Sequence, residues 1–347
     1  MANTPEVSVI VGAFNRQQYV VSAVRSILAQ TIPRDRFEIV VTKNFRTPDI
    51  DRELADSGAT VTFDAERTIG RWLRHAVEAS RAPIVTFCDD DDELEPDRLE
   101  RLLSVFHDHP EVGFYRNRVR VIDRDGRGTP PDTWREHEVD RAFDALGPVL
   151  LPPDGKQGLV TFAGTTTHAT FGTSTMAFRR EVLGGEVGDA FEGVASSEDL
   201  YFFLAGALSP YGMFFDDRRL TRYRYYAGNV THAVSWHGLA MESERTMAAL
   251  AERRGRPDLA AWLRGRADNH ERLFRGGTLV SRVAAGADRP EVARLTAQYL
   301  RFLERHPKER AWTLDVWASG VYGFSSLAAP GLTGRVARAR LRARSVT

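Results

Sequence analysis

The chain has 347 residues, enough for one large domain and an appendage. Its 47 Lys and Arg balance 47 Asp and Glu, so no global field favours nucleic acid, and its single cysteine, Cys88, excludes a disulfide framework and a thiolate zinc cage. A reducing cytoplasm is the expected setting: the first residues lack the basic and apolar regions of a signal peptide, and no run of about 18 apolar residues offers a membrane span.

Residues 7–11 (Val-Ser-Val-Ile-Val) predict a first strand, closed by Gly12-Ala13-Phe14-Asn15-Arg16. Val21, Val24, Ile27 and Leu28 then share one face of a helix over 18–30. Residues 37–41 predict a second strand ending in Thr42-Lys43-Asn44, and 59–63 a short third. A helix over 70–80 leads to the apolar strand 84–88, which runs straight into Asp89-Asp90-Asp91-Asp92. Pro96, Leu99, Leu102, Leu103 and Phe106 mark the next helix. This alternation predicts an α/β fold, a mostly parallel sheet with right-handed crossovers. The first turn carries neither G-x-G-x-x-G nor G-x-x-x-x-G-K-[ST], which disfavours a dinucleotide dehydrogenase or a P-loop enzyme.

Strands are expected over 112–115 and 118–122. Residues 126–158, rich in Pro, Gly and charge, predict a mobile loop able to close over substrate. The hydroxyl-rich segment 170–179 passes into a strand, and 200–204 reads as a buried helix. Beyond Trp236 four helices are expected, over 237–254, 258–274, 290–306 and 309–327, broken by Gly or Pro. The tail carries Arg335, Arg338, Arg340, Arg342 and Arg344 without an acid. Two readings stand for this end: an aromatic helix and basic tail lying on the inner face of an anionic membrane, or a helix packed on the preceding domain.

Four consecutive carboxylates repel one another, and holding them on a folded surface calls for a cation between them. They fall beyond the carboxyl end of a strand, where open α/β sheets bind ligands. All-oxygen ligands suit Mg²⁺ or Mn²⁺, with positions left for substrate phosphates. A solvated turn favouring the next helix would explain one or two of these acids, not four in a row. Asn15 has two readings, a contact to a nucleotide or a cap of the following helix. Ser196-Ser197-Glu198-Asp199 likewise reads as an N-cap or as the setting for a general base.

These motifs, taken in order, resemble glycosyltransferase family 2, inverting enzymes with a GT-A fold. The resemblance rests on Val-Ser-Val-Ile-Val-Gly-Ala-Phe-Asn-Arg at 7–16 and on Phe-Cys-Asp-Asp-Asp-Asp-Glu-Leu-Glu-Pro-Asp-Arg-Leu at 87–99. Gly-Thr-Ser-Thr-Met-Ala-Phe-Arg-Arg at 172–180 and Ser197-Glu198-Asp199 complete it. It implies a GT-A domain over 5–228, followed by a helical region over 229–347 that it does not cover. It further implies transfer of a sugar from a nucleotide-diphospho-sugar to a glycan, lipid-linked or small-molecule hydroxyl. Carried over residue by residue, Asp91 ligates Mn²⁺ or Mg²⁺ with His232 as a further candidate, and Asp89 and Asp90 lie near the ribose and diphosphate. Asp199 is the general base and Glu198 positions the acceptor. Gly12 and Phe14 border the nucleobase with Asn15 and Arg16, Arg67 or Arg71 reaches the phosphates, and Thr173 and Ser174 line the acceptor side. The chain departs from the family where Val-Asp-Asp-Gly-Ser is usual: Lys43 and Asn44 stand there, which puts uridine recognition in doubt. Two rivals remain, a silent GT-A scaffold that binds glycan or protein, and a sugar-1-phosphate nucleotidyltransferase, whose Gly-rich basic loop is missing after the first strand.

Overall fold

The computed structural model describes residues 4–66, 68–129, 147–165, 169–226 and 234–305. Arg67, His232, the helix expected over 309–327 and the arginine tail lie outside them. The chain divides into two compact units, Met1–Tyr226 with Ala249–Leu259, and Ala227–Ala248 with Ala260–Thr347.

The first unit is built on one mixed sheet. Its strands are β1 (Val7–Ala13), β2 (Phe37–Lys43), β3 (Thr60–Phe63), β4 (Ile84–Asp89), β5 (Glu93–Leu94), β6 (Val112–Ile122), β7 (Val149–Leu151), β8 (Met176–Arg179) and β9 (Gly212–Arg224). Their order is β3-β2-β1-β4-β8-β6-β9-β5, with β7 also on β9. The half from β3 to β4 is parallel, as the strand–helix alternation predicts. Beyond β4 the sheet turns mixed, because β8 enters antiparallel between β4 and β6. Val- and Ile-rich β1 and β2 are buried along nearly their whole length, as central strands covered on both faces require.

Helices α1 (Val20–Leu28), α2 (Pro48–Asp56), α3 (Ile69–Glu78) and α4 (Arg98–Asp108) fill the crossovers. Val20, Ala23, Val24 and Ile27 of α1 join the sheet core, as do Leu99, Leu102, Val105 and Phe106 of α4. Shorter α5 (Leu159–Thr165) and α6 (Gly185–Phe191) precede α7 (Glu198–Leu208), which is buried from Leu200 to its end.

In this unit the structure departs from the sequence reading at three places. Residues 130–146 of the expected loop 126–158 lie outside the described residues, and its end is not loop: β7 pairs with β9, and Lys156 in the turn after it is buried, donating to the carbonyls of Gly206 at 3.2 Å and Tyr211 at 2.8 Å. The strands expected over 112–115 and 118–122 are one strand, β6. The polar middle that seemed to break it is satisfied inside the sheet, where the Asn117 amide donates to Thr221 Oγ1 at 2.9 Å and accepts from Arg98 Nε at 3.0 Å. The long strand β9 matches no expected element, since Asp216 to Arg219 interrupts its apolar pattern.

In the second unit, α8 (Val234–Arg253) and α9 (Pro257–Ala284) each contribute part of their length, followed by α10 (Arg289–Arg305). The helix expected to stop at Phe274 continues through Gly276 and Gly277. A glycine costs a helix only about 1 kcal/mol, and the following turns bury Leu279, Val280 and Val283 in a cluster with Val292 and Tyr299. No described helix is long and apolar enough to cross a membrane.

Candidate functional site

Parallel register brings three strand ends together. Gly12 lies opposite Thr42 on one side and Asp89 on the other, and Ala13 lies opposite Lys43. The Asp90 N–H donates to the Gly12 carbonyl at 3.2 Å, so the acid run turns directly over the end of β1. Gly12 is required here: a Cβ would stand 2.5 Å from the Trp72 ring. Phe14 meets that ring edge-on at 6.5 Å and stays 36% exposed.

Asn15 does not cap α1, whose N-cap is Tyr19. It adopts φ 59°, a left-handed conformation uncommon outside glycine. Its N–H donates to Asn44 Oδ1 at 2.9 Å, and its Oδ1 accepts from Asn44 Nδ2 at 3.1 Å. This exchange aims Arg16 at the acids. Nη2 of Arg16 stands 2.6 Å from Asp90 Oδ1, and Nη1 pairs with Asp91 Oδ2. The Tyr226 hydroxyl, just past β9, donates to the same Asp91 oxygen at 3.2 Å.

The antiparallel entry of β8 explains the other wall. Ala177 pairs with Thr86, so the turn Thr173–Thr175 ahead of β8 falls at the end of β4. Ser174, fully buried, accepts the Asp89 N–H at 2.9 Å. Two residues earlier, the Gly172 N–H donates to Asp199 Oδ2 at 3.1 Å, while the Leu200 N–H holds Asp199 Oδ1 at 2.7 Å. Asp199 and Glu198 occupy the first turn of α7, where the helix dipole favours negative charge. The residue before them, Ser197, is the second non-glycine residue with positive φ, at 60°. Left-handed residues on both flanks of one site carry strain that the surrounding fold must hold.

The electrostatics bind these parts into one cluster. Burial, then Asp91 and Asp199, raise the pKa of Asp89 to about 7 against the opposing pull of Arg16. Asp90 is held well above the carboxylate range by burial and by its neighbours Asp91 and Asp89, and Asp92 by burial with the same two acids. Glu198 rises to about 8 through burial, Asp199 and Asp89. Burial opposes the Arg16 charge, but Asp90, Asp91 and Asp89 raise its pKa above the ordinary value.

Other expected site residues are placed differently. Lys43 is buried and turned inward, donating to the Phe45 carbonyl at 2.6 Å and pairing with Asp51 at 2.7 Å. Arg71 is exposed beside Glu66 at 3.6 Å. Thr173 and Ser174 are both buried, and the Ser174 hydroxyl is engaged with Asp89. Sequence reasoning missed Arg224, which is buried beneath the acid turn. Its Nε donates to the Asp91 carbonyl at 2.8 Å and its Nη2 to Glu93 at 2.8 Å, while its N–H donates to Asp92 Oδ1 at 2.9 Å. Arg222 also pairs with Glu93, at 2.7 Å. The two-residue spacing of these arginines, which places both on one face of a strand, was the available signal.

Among the described residues no three His, Cys, Asp or Glu side chains form a ready cage for a metal. The donor set nevertheless fits a hard divalent cation. All its ligand atoms are oxygens, Asp90 and Asp91 share the single guanidinium of Arg16, and among the described residues neither carboxylate oxygen of the buried Asp90 receives a hydrogen bond.

Comparison with known proteins agrees with this geometry. The family model described as glycosyl transferase family 2 matches residues 8–184. EpsH of Bacillus subtilis, named as a glycosyltransferase, is 27% identical over 152 residues, covering 41% of this chain and 44% of EpsH. The glycosyltransferase alr2836 of a Nostoc species is 27% identical over 186 residues, 51% of this chain and 52% of that protein. The chain thus spans about half the length of these relatives. Among solved structures, S. aureus TarS 1–349 in complex with UDP-GlcNAc aligns over 92% of this chain and 91% of its own, at 15% identity and a TM-score of 0.55. That likeness bears on the fold, which is GT-A.

Proposed function

Because the chain belongs to glycosyl transferase family 2, we propose that it is a cytoplasmic, inverting enzyme that transfers a sugar from a nucleotide-diphospho-sugar to an acceptor hydroxyl. The observation that carries this reading is the Asp89–Ser174 and Gly172–Asp199 pair of hydrogen bonds, which ties the acid turn to a second carboxylate across one site.

Asp199 is the general base. Two backbone N–H groups fix its carboxylate, so it can accept the proton of the acceptor hydroxyl as that oxygen attacks the anomeric carbon. The new carbon–oxygen bond forms opposite the departing diphosphate, so the anomeric centre inverts. Glu198, whose pKa of about 8 keeps it protonated at neutral pH, can donate a hydrogen bond to the acceptor without competing for its proton. Phe14, Asn15 and Asn44 border the nucleoside. Asp91, with Asp90 and Asp89 beside it, is the residue that would hold Mn²⁺ or Mg²⁺, whose chemistry when bound is to neutralise charge on the leaving diphosphate.

Calorimetric titration of UDP, GDP and dTDP, each with and without Mn²⁺, tests the reading. Metal-dependent binding of one nucleotide, lost in Asp91→Ala, is expected. Failure of all three to bind would favour a silent scaffold.

A further inference from the structure

We propose that Arg16 is the resident counter-cation of the acid turn, that a divalent ion must displace it, and that the freed guanidinium then takes the donor diphosphate. This rests on the reading above and adds a coupling between metal and donor that the reading does not require.

Two other described cations near the acid turn are engaged elsewhere. Lys43 is turned away to Asp51 and the Phe45 carbonyl. The Arg224 guanidinium lies beneath the turn, on the carbonyls of Asp91, Asp123 and Arg124 and on the Glu93 carboxylate. Arg16 instead reaches over the turn and bridges Asp90 and Asp91 with its two terminal nitrogens. One positive charge there faces two carboxylates, with Asp89 adjoining, and the buried Asp90 Oδ2 is still left without a donor. A divalent ion brings twice the charge and can bind oxygens that a planar fork cannot reach.

The guanidinium has a way out. Its side chain is 26% exposed, whereas Asp90 is fully buried, so the arginine can move while the acid stays. The backbone behind it is fixed by the Asn15–Asn44 exchange, which confines the movement to the side chain. Guanidinium forks bind phosphate and carboxylate in the same bidentate manner. Transfer from the acids to a diphosphate therefore replaces one hydrogen bond and one ion pair to carboxylates with like contacts to phosphate oxygens.

The test titrates Mn²⁺ alone into the full chain by calorimetry, and repeats thermal melts with and without it, for wild type, Arg16→Ala and Arg16→Gln. Arg16→Ala is expected to bind Mn²⁺ about tenfold tighter or more, because no resident cation has to leave. Without metal both variants should melt below wild type, and Mn²⁺ should raise their melting temperature more than that of wild type, since an ion that binds only the folded state stabilises it by mass action. Arg16→Gln keeps a hydrogen-bonding side chain and gives the same readout if the alanine variant does not fold. Mn²⁺ affinity that is equal or weaker in the variants, or no Mn²⁺ binding by any of the three proteins, overturns the proposal. Normal donor turnover beside unchanged Mn²⁺ affinity sinks only the role of Arg16. Absence of nucleotide binding by wild type, beside tightened Mn²⁺ binding in the variants, sinks the transferase reading and the transfer of Arg16 to a diphosphate, and leaves its displacement by the ion standing.

Discussion

The Asn44 side-chain amide makes two hydrogen bonds to Asn15 across the ends of neighbouring parallel strands, accepting its backbone N–H at 2.9 Å and donating to its Oδ1 at 3.1 Å. Neither strand fixes its outgoing turn alone; each turn is the template of the other. Asn44→Ala should raise the donor KM several-fold with little change in kcat, because it loosens Phe14 to Arg16 without touching the base. The variant should lose about 1–2 kcal/mol of stability, the usual worth of two exposed hydrogen bonds. Steady-state kinetics beside a denaturant melt would check both.

Asp199→Asn keeps the shape of the proposed base and removes its ability to accept a proton. Turnover should fall by about 10²–10⁴, the usual contribution of general base catalysis, while nucleotide binding measured by calorimetry stays within about twofold. Unchanged turnover would remove Asp199 from the mechanism.

Glu198 links pH to stability with a definite sign. Its pKa rises from 4.5 to about 8 on folding. Between those values the folded chain keeps a proton that the unfolded chain has released, so stability falls as pH rises. The protonated form contributes fully below pH 4.5, and that contribution is lost as pH passes through about 8. Glu198→Gln should therefore match wild type in acid and melt a few degrees higher above pH 8. Melts taken across this range would reveal an absent or reversed trend.

Gly12→Ala places a methyl group 2.5 Å from the Trp72 ring. Overpacking of this kind costs about 1–3 kcal/mol, and donor affinity should weaken with it because Phe14 leans on the same ring. Trp72→Leu in the Gly12→Ala background should restore part of the lost affinity. Among the described residues Trp72 Nε1 meets no hydrogen-bond partner, so that change forfeits no polar contact there. A double-mutant cycle showing simple additivity would contradict the proposed clash.

Arg224→Met should be the most damaging of these substitutions. Removing one partner from a buried ion pair costs about 3–5 kcal/mol, and here the Asp91 carbonyl and Glu93 lose a donor together. Arg224→Lys should rescue little, since an ammonium cannot serve those separated acceptors at once. Far-ultraviolet melts would rank the three proteins.

The acid turn was legible because its signal is local: four carboxylates follow an apolar strand with nothing between them. The parallel half of the sheet was legible for the same reason, through strand and helix periods read one segment at a time. What escaped depends on partners distant in the chain. The polar middle of β6 looked like a break because Thr221 and Arg98, which satisfy Asn117, lie 104 and 19 residues away. Lys43 sits where the family has a base-reading acid, and nothing near it in sequence says that its ammonium turns inward to Asp51. Gly276 and Gly277 carried a true propensity to end a helix, outweighed by a cluster whose other members lie on the next helix.

The position of β8 bears on how the chain is made. It lies between β4 and β6 yet is synthesised after both, so a ribosome that has not passed residue 179 holds a half-sheet with β4 unpaired at its edge. At that stage the acid turn also lacks Ser174, the residue that receives the Asp89 N–H. An open apolar edge is a template for pairing with other chains. Premature termination before β8 should therefore yield insoluble fragments, since the strand that joins the two halves of the sheet also delivers one wall of the candidate site.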